Sequence, residues 1–148
     1  MQSRDCVKQT ITSPLHFCDN VNDPVIVEWI AQKGPDLIIQ SGWSQKFHKP
    51  LLNLPLYGCI GEHPAPLPRG RGAACVNWAI LSGETEWGDT FFRMVDQYDR
   101  GEVYAQSFFQ IQQYDTVKTI YDKVANCAKK SFRTLLINGV AGAFRQSL

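Results

Sequence analysis

The chain has 148 residues, 44% hydrophobic and 20% charged, with a formal net charge of +1. A domain of about 150 residues can bury roughly 68–70% of its unfolded surface, so one full core is expected over residues 1–148, and the near-neutral balance argues against a large nucleic-acid footprint. No run reaches the ~18 apolar residues of a membrane span, the N-terminus has no apolar signal-peptide core, and the five cysteines form no CxxC pair, which argues for a reducing, cytoplasmic setting without disulfides or a structural metal.

Residues 1–21 show no clear periodicity. A first helix is predicted from Asp23, a good N-cap, through Pro24 to Gly34, with Val27, Ile30 and Ala31 on one face. Asp36–Gln40 has a continuous apolar centre, the pattern of a strand buried on both faces. A turn at Ser41–Ser44 and a short helix with Phe47, Leu51 and Leu52 lead to a second strand, Tyr57–Gly61. Ala73–Ser82 reads as a helix with Cys75, Val76, Ala79 and Ile80 inward and Gly83 after its end. Asp89–Val95 and Glu102–Ile111 are predicted strands, joined by the polar stretch Asp96–Gly101 with Gly101 at a positive φ. The last helix is capped by Asp115. Val117, Ile120, Tyr121, Val124, Ala128, Leu135 and Leu136 recur along it at helical spacing, and Asn138–Gly139 ends it. This is an α/β pattern with a hairpin-like pair of strands appended. Neither a Gly-rich dinucleotide fingerprint nor a P-loop is present.

The informative stretch is Gly58–Gly72. A short strand runs straight into His63, and Pro64, Pro66 and Pro68 then stiffen the loop. An open α/β sheet presents reactive groups at the carboxyl ends of its strands. Histidine can take and return a proton near neutral pH without special tuning. Asp96 and Asp99 in the later polar loop are within reach as orienting carboxylates. Arg69 and Arg71 are candidate phosphate ligands or loop anchors.

The run from His63 through Pro-Ala-Pro-Leu-Pro-Arg-Gly-Arg-Gly72 into Ala73–Gly83 resembles the folate-dependent formyltransferases. That family includes the glycinamide ribonucleotide, methionyl-tRNA and sugar-nucleotide N-formyltransferases. Its hallmark is Asn-x-His followed by a Ser-Leu-Leu-Pro-type loop and Arg-Gly, with a later loop ending in Asp-x-Gly. Asp99-Arg-Gly101 matches that second loop, and Pro35-Asp-Leu-Ile-Ile, Thr116 and Tyr121-Asp-Lys123 also fit. The resemblance runs in order from about Asp23 to Leu136. It implies a Rossmann-like, three-layer αβα core with a mostly parallel sheet, the antiparallel hairpin appended. It also implies 10-formyltetrahydrofolate as formyl donor, His63 and Asp99 as catalytic residues, and Asp96, Gln97, Tyr98 and Gly101 around the folate. Trp43, after Ser41-Gly42, is a candidate for the folate pocket, with a buried packing aromatic as the alternative.

Two departures stand out. The asparagine of the hallmark is Gly61 here, so a side-chain donor for the oxyanion is missing unless a backbone N–H, Ser44 or Gln45 replaces it. Only 22 residues precede Asp23, whereas the family core opens with a strand–helix–strand unit of ~30 residues or more. The core is therefore expected to be incomplete at the N-terminus, either truncated or completed by a partner, with a homodimer as one form of completion. The favoured acceptor is a small-molecule amine carried by a sugar nucleotide. The Gly-Glu-His-Pro-Ala-Pro form of the loop and the near-neutral charge disfavour transfer RNA. The alternatives are a methionyl-tRNA formyltransferase-like enzyme and a catalytically impaired module that binds folate or a protein partner.

Overall fold

The structure is a computed structural model and describes residues 13–137. Four helices and four strands alternate as α1 (Pro24–Ala31), β1 (Ile38–Gln40), α2 (Lys49–Leu52), β2 (Cys59–His63), α3 (Cys75–Leu81), β3 (Glu86–Arg93), β4 (Val103–Gln110) and α4 (Val117–Ile137). The strands form one sheet in the order β1-β2-β3-β4. β1 and β2 run parallel, with Ile38 opposite Cys59 and Gln40 opposite Gly61. β2–β3 and β3–β4 are both antiparallel.

The expectation of a mostly parallel sheet therefore fails over the described residues, where one pairing in three is parallel. The loop after β2, residues 64–74, is hydrogen-bonded to Thr90 of β3 through the Ala65 carbonyl and the Leu67 N–H. β3 therefore passes the end of β2, with Thr90 opposite His63, and runs back along it.

Side chains alternate along each strand, so the sheet sorts them into two layers of core. Val21, Phe47, Leu51 and Cys59 are buried on one face, where Val27, Ile30 and Met94 pack against them. On the other face Trp87, Val76, Ala79, Ile120 and Val124 form a second cluster, and Ile60, Phe91 and Leu135 a third. Helices α1 and α2 thus cover one face and α3 and α4 the other, which is the expected αβα layering.

Local chemistry explains the helix ends. The Asp23 side chain accepts from the Val25 N–H at 2.9 Å, Pro24 fills the first turn, and Gly34 takes a φ of 57° beyond the end. Ala31 is exposed and does not join Val27 and Ile30 in the core. Asp115 is not the cap of α4, as expected from sequence. The helix starts at Val117, and Thr116 and Thr119 exchange hydrogen bonds between hydroxyl and backbone N–H in both directions. Asp115 stands one residue earlier, where it accepts from the Gln112 N–H at 2.7 Å and from Thr119 and Lys123. On α4, Ile120, Val124 and Leu135 are buried, whereas Tyr121 and Leu136 are exposed. Asn138–Gly139 lies outside the described residues.

β1 also differs from expectation. Ile39 is 40% exposed rather than buried on both faces, because β1 is the edge of the sheet among the described residues. β2 runs two residues further than predicted and ends on His63 itself. Gly101 is not in the left-handed region. A Cβ there would lie 1.6 Å from the Arg93 carbonyl oxygen, so its glycine serves a close backbone approach. Asp99 takes the left-handed conformation in this loop, with a φ of 50°.

Candidate active site

A cleft of about 970 Å³ opens at the end of β2, within the range usual for small-molecule sites. The loop after β1, the loop after β2, the β3–β4 loop and the exposed flank of α4 form its walls.

His63 enters it from the last position of β2. Its Nε2 lies 2.7 Å from the carbonyl oxygen of Gly70, so that nitrogen carries a hydrogen and donates it. The other ring nitrogen, Nδ1, lies 3.9 Å from Oδ1 of Asp99. Both side chains are largely buried, at 12% and 14% exposure. Asp99 is held from three directions. Its Oδ2 accepts the Gly72 N–H at 2.8 Å, Arg71 Nε donates to its carbonyl at 2.8 Å, and its own backbone is left-handed. The proline-rich loop thus supplies the acceptor that fixes the imidazole and the donor that fixes the carboxylate. A proton arriving at Nδ1 finds a carboxylate before it.

The loop is itself built onto β3. Thr90, fully buried, donates its hydroxyl to the Ala65 carbonyl at 2.7 Å and accepts from the Leu67 N–H at 3.1 Å. Gln106 donates to Thr90 and to the Leu67 carbonyl. Trp87 Nε1 donates to the Pro64 carbonyl at 2.8 Å. The Leu67–Pro68 peptide is cis. Arg69 is outside the cleft lining, pairing with Glu84 at 3.0 Å and lying over the Trp87 ring.

Residues 3–136 match the family model described as "Formyl transferase". The chain belongs to the formyl transferase family. Among solved structures it is similar to HypX from Aquifex aeolicus in complex with tetrahydrofolic acid, at 29% identity over 80% of this chain and 21% of that one, with a TM-score of 0.72. It shares the fold of phosphoribosylglycinamide formyltransferase from Bacillus halodurans, at 24% identity over 69% of this chain and 53% of that one, TM-score 0.65. The same holds for glycinamide ribonucleotide transformylase 1 from Symbiobacterium toebii, at 22% identity over 68% of this chain and 47% of that one, TM-score 0.64. The chain spans about half the length of those two enzymes and about a fifth of HypX.

Within this formyl transferase fold the expected ligand residues separate into two groups. Trp43, Gln97, Tyr98 and Asp99 line the cleft with His63. Asp96 and Gly101 do not. Asp96 pairs with Lys46 at 2.9 Å, and Gly101 faces the Arg93 backbone. The Lys46 contact, which also sets its ammonium 5.8 Å from the Tyr98 ring centre, ties two walls of the cleft together.

Gly61, where the resemblance puts the family asparagine, has tight surroundings. A Cβ there would lie 2.8 Å from two atoms of the Phe92 ring and 3.2 Å from Met94 Cγ. The Phe92 ring fills the space of the missing side chain. Of the replacement donors considered, Gln45 is spent on the backbone of Val21 and Asp19. Ser44 lines the cleft, and its hydroxyl has no hydrogen bond among the described residues.

Sequence reasoning missed Glu62 and Asp89. Glu62 points away from His63 along β2 yet still lines the cleft, which wraps around the strand end. Asp89 on β3 is fully buried. Burial, reinforced by the Glu62 carboxyl beside it, pushes Asp89 up to about 9, so it holds its proton at neutral pH. Burial also pushes the Cys75 thiol up to about 11. An acidic residue on the same strand face as Trp87 and Phe91, both buried, was the available signal. Among the described residues no cluster of three or more His, Cys, Asp or Glu could hold a metal ion, and no helix is long and apolar enough to cross a membrane.

Proposed function

We propose that this chain carries the formyl-transfer site of an N-formyltransferase that uses 10-formyltetrahydrofolate and a primary amine. The observation that carries this reading is the cleft of a formyl transferase fold with His63 Nδ1 turned toward Asp99. The lining of the cleft supports such a donor. Trp43, Phe92, Met94 and Tyr98 offer flat apolar surface for a pterin ring, and Gln97 adds polar groups at its edge.

When bound, the donor supplies an electrophilic formyl carbon. The chain's residues do the rest. His63 takes at Nδ1 the proton that the attacking amine sheds, and returns it to the nitrogen that the formyl group leaves. Asp99 faces the imidazolium formed in between, while Gly70 keeps the ring from turning. The Ser44 hydroxyl is the free side-chain donor for the developing oxyanion, in place of the family asparagine. For the acceptor we favour an amino-sugar nucleotide over transfer RNA, on the near-neutral charge of the chain. Glycinamide ribonucleotide is the competing acceptor.

The test is turnover. The protein is incubated with 10-formyltetrahydrofolate and a panel of amino-sugar nucleotides and glycinamide ribonucleotide, and tetrahydrofolate release is followed. His63→Ala lowers the rate on the order of 10²–10⁴, the usual worth of a general acid–base. Asp99→Asn keeps an acceptor for the Gly72 N–H but removes the charge before Nδ1, and also slows turnover. A second reading, a folate-binding module without turnover, is favoured by one observation, the Phe92 ring in the asparagine's place. Folate binding with no turnover on any amine selects it.

A further inference from the structure

Glu62 and Asp89 lie on the sheet face opposite His63. In the β2–β3 register Glu62 stands across from Phe91, and Asp89, two residues before Phe91, shares its face. Asp89 is 0% exposed, and neither of its oxygens has a hydrogen-bond donor among the described residues. The nearest candidate, Ser107 across β4, is spent on Ser131 at 2.7 Å. The group that meets the Asp89 carboxyl is the carboxyl of Glu62, another acceptor. Two facing carboxylates repel when both are ionised and share a hydrogen bond when one keeps its proton; with Asp89 raised by burial, the pair carries a single negative charge at neutral pH.

That charge reaches the cleft through Glu62. Ser41 Oγ donates to Glu62 Oε2 at 2.8 Å; beyond this bond and the proton shared with Asp89, no donor among the described residues bonds the Glu62 carboxylate, which keeps lone pairs for a ligand. No lysine, arginine or histidine among the described residues forms an ion pair with either carboxyl. The titratable groups that face the pair are Cys75 on α3 and Tyr121 and Cys127 on α4, all neutral in their ordinary forms. Cys75, Val124, Ala125 and Ala128 make this arm of the cleft apolar, and Tyr121 adds a ring face. A fixed carboxylate, an aromatic ring and apolar walls together suit an organic ammonium group.

We propose that the Glu62–Asp89 pair is an ammonium-binding subsite, in the arm of the cleft opposite His63, for a ligand that carries a primary ammonium on a short aliphatic stem. Glu62 contacts the ammonium directly, and Asp89 acts through Glu62 by holding the proton that keeps the pair singly charged. This is a claim about binding and stands whether or not the protein transfers formyl groups.

The test follows carboxyl carbon chemical shifts of Glu62 and Asp89 in the whole chain at pH 7, titrated with n-butylammonium and, in parallel, with butan-1-ol. The expected result is a saturable shift with n-butylammonium and none with butan-1-ol. Glu62→Gln weakens n-butylammonium binding about tenfold or more, the worth of one charge-assisted contact. Asp89→Asn keeps the affinity, because its amide donates to Glu62 as the protonated acid does. Circular dichroism melts certify that each variant is folded. Equal response to amine and alcohol, no response to either, or undiminished binding in Glu62→Gln overturns the subsite. Loss of binding in folded Asp89→Asn, as deep as in Glu62→Gln, overturns the one-proton pair.

Discussion

The carbonyl oxygen of Gly70 holds Nε2 of His63 at 2.7 Å, seven residues further along the chain. Gly70 can do so because it has a φ of 75°, and because it has no Cβ to meet Ala65 Cβ at 2.7 Å and Trp87 Cζ2 at 2.8 Å. Gly70→Ala therefore strains the backbone and overpacks the loop together. Left-handed backbone costs a non-glycine residue roughly 1–2 kcal/mol, and overpacking typically a further ~1–3 kcal/mol. Urea denaturation of the variant is expected to show a loss of that combined order. Any turnover falls further than the stability, since the imidazole loses its tether. A variant as stable as the parent removes the steric account of Gly70.

Gly61 and Phe92 yield the second prediction. Gly61→Asn alone does not recover an oxyanion donor, because the Phe92 ring stands 2.8 Å from the new Cβ. The single substitution costs about 1–3 kcal/mol by overpacking. Gly61→Asn with Phe92→Ala makes room, and its turnover exceeds that of either single variant, since one oxyanion donor is worth on the order of 10²–10³ in rate. A double-mutant cycle on turnover and on urea midpoint reads both effects. Additive behaviour of these two contacting residues contradicts it.

Much of this site was legible in the chain as written, and the limits are physical. His63 stood out because its strand and prolines are contiguous with it, and Asp99 was separated from Asp96 by the resemblance of Asp99-Arg-Gly101 to the family's second loop; the structure sets the two side chains 3.9 Å apart. Local signals carry that kind of information. Gly101 was assigned the wrong backbone because a glycine serves left-handed turns and close approaches alike. Only the 1.6 Å gap to the Arg93 carbonyl distinguishes them. The Glu62–Asp89 contact is set by strand register, which no local pattern encodes. Asp115 marked the start of α4 correctly to within one residue, but its role came from Lys123 and Gln112 rather than from the helix end. The direction of β3 goes with the bonds of Thr90 to Ala65 and Leu67 across 25 and 23 residues, a tertiary contact that no local pattern encodes.

Asp115 sets the third prediction. The Gln112 N–H, and then the Lys123 ammonium, hold its carboxyl down to about 2, below the ordinary 3.8. Its contribution is complete above the unfolded value and is lost as pH falls from about 3.8 to about 2. Asp115→Asn keeps an acceptor but no charge. Urea midpoints of parent and variant are expected to differ most at pH 5–7 and to converge between pH 4 and pH 2. A constant difference across that range means the carboxylate charge plays no part.

Asp89 predicts the opposite slope. Burial, and then Glu62, raise it from the ordinary 3.8 to about 9 in the folded chain. Between those values the folded state binds a proton that the unfolded state has released, so stability falls as pH rises from about 4 to about 9. Asp89→Asn has no proton to lose and its stability lacks this slope. The variant is therefore the more stable of the two at pH 8, and the gap narrows toward pH 4. Other carboxylates, Asp115 among them, move parent and variant alike in acid, so the difference between the two curves isolates Asp89. Urea denaturation at half-unit steps from pH 4 to pH 9 gives that difference. A flat difference curve means that Asp89 ionises as it does in water, and the shared proton with Glu62 then goes with it.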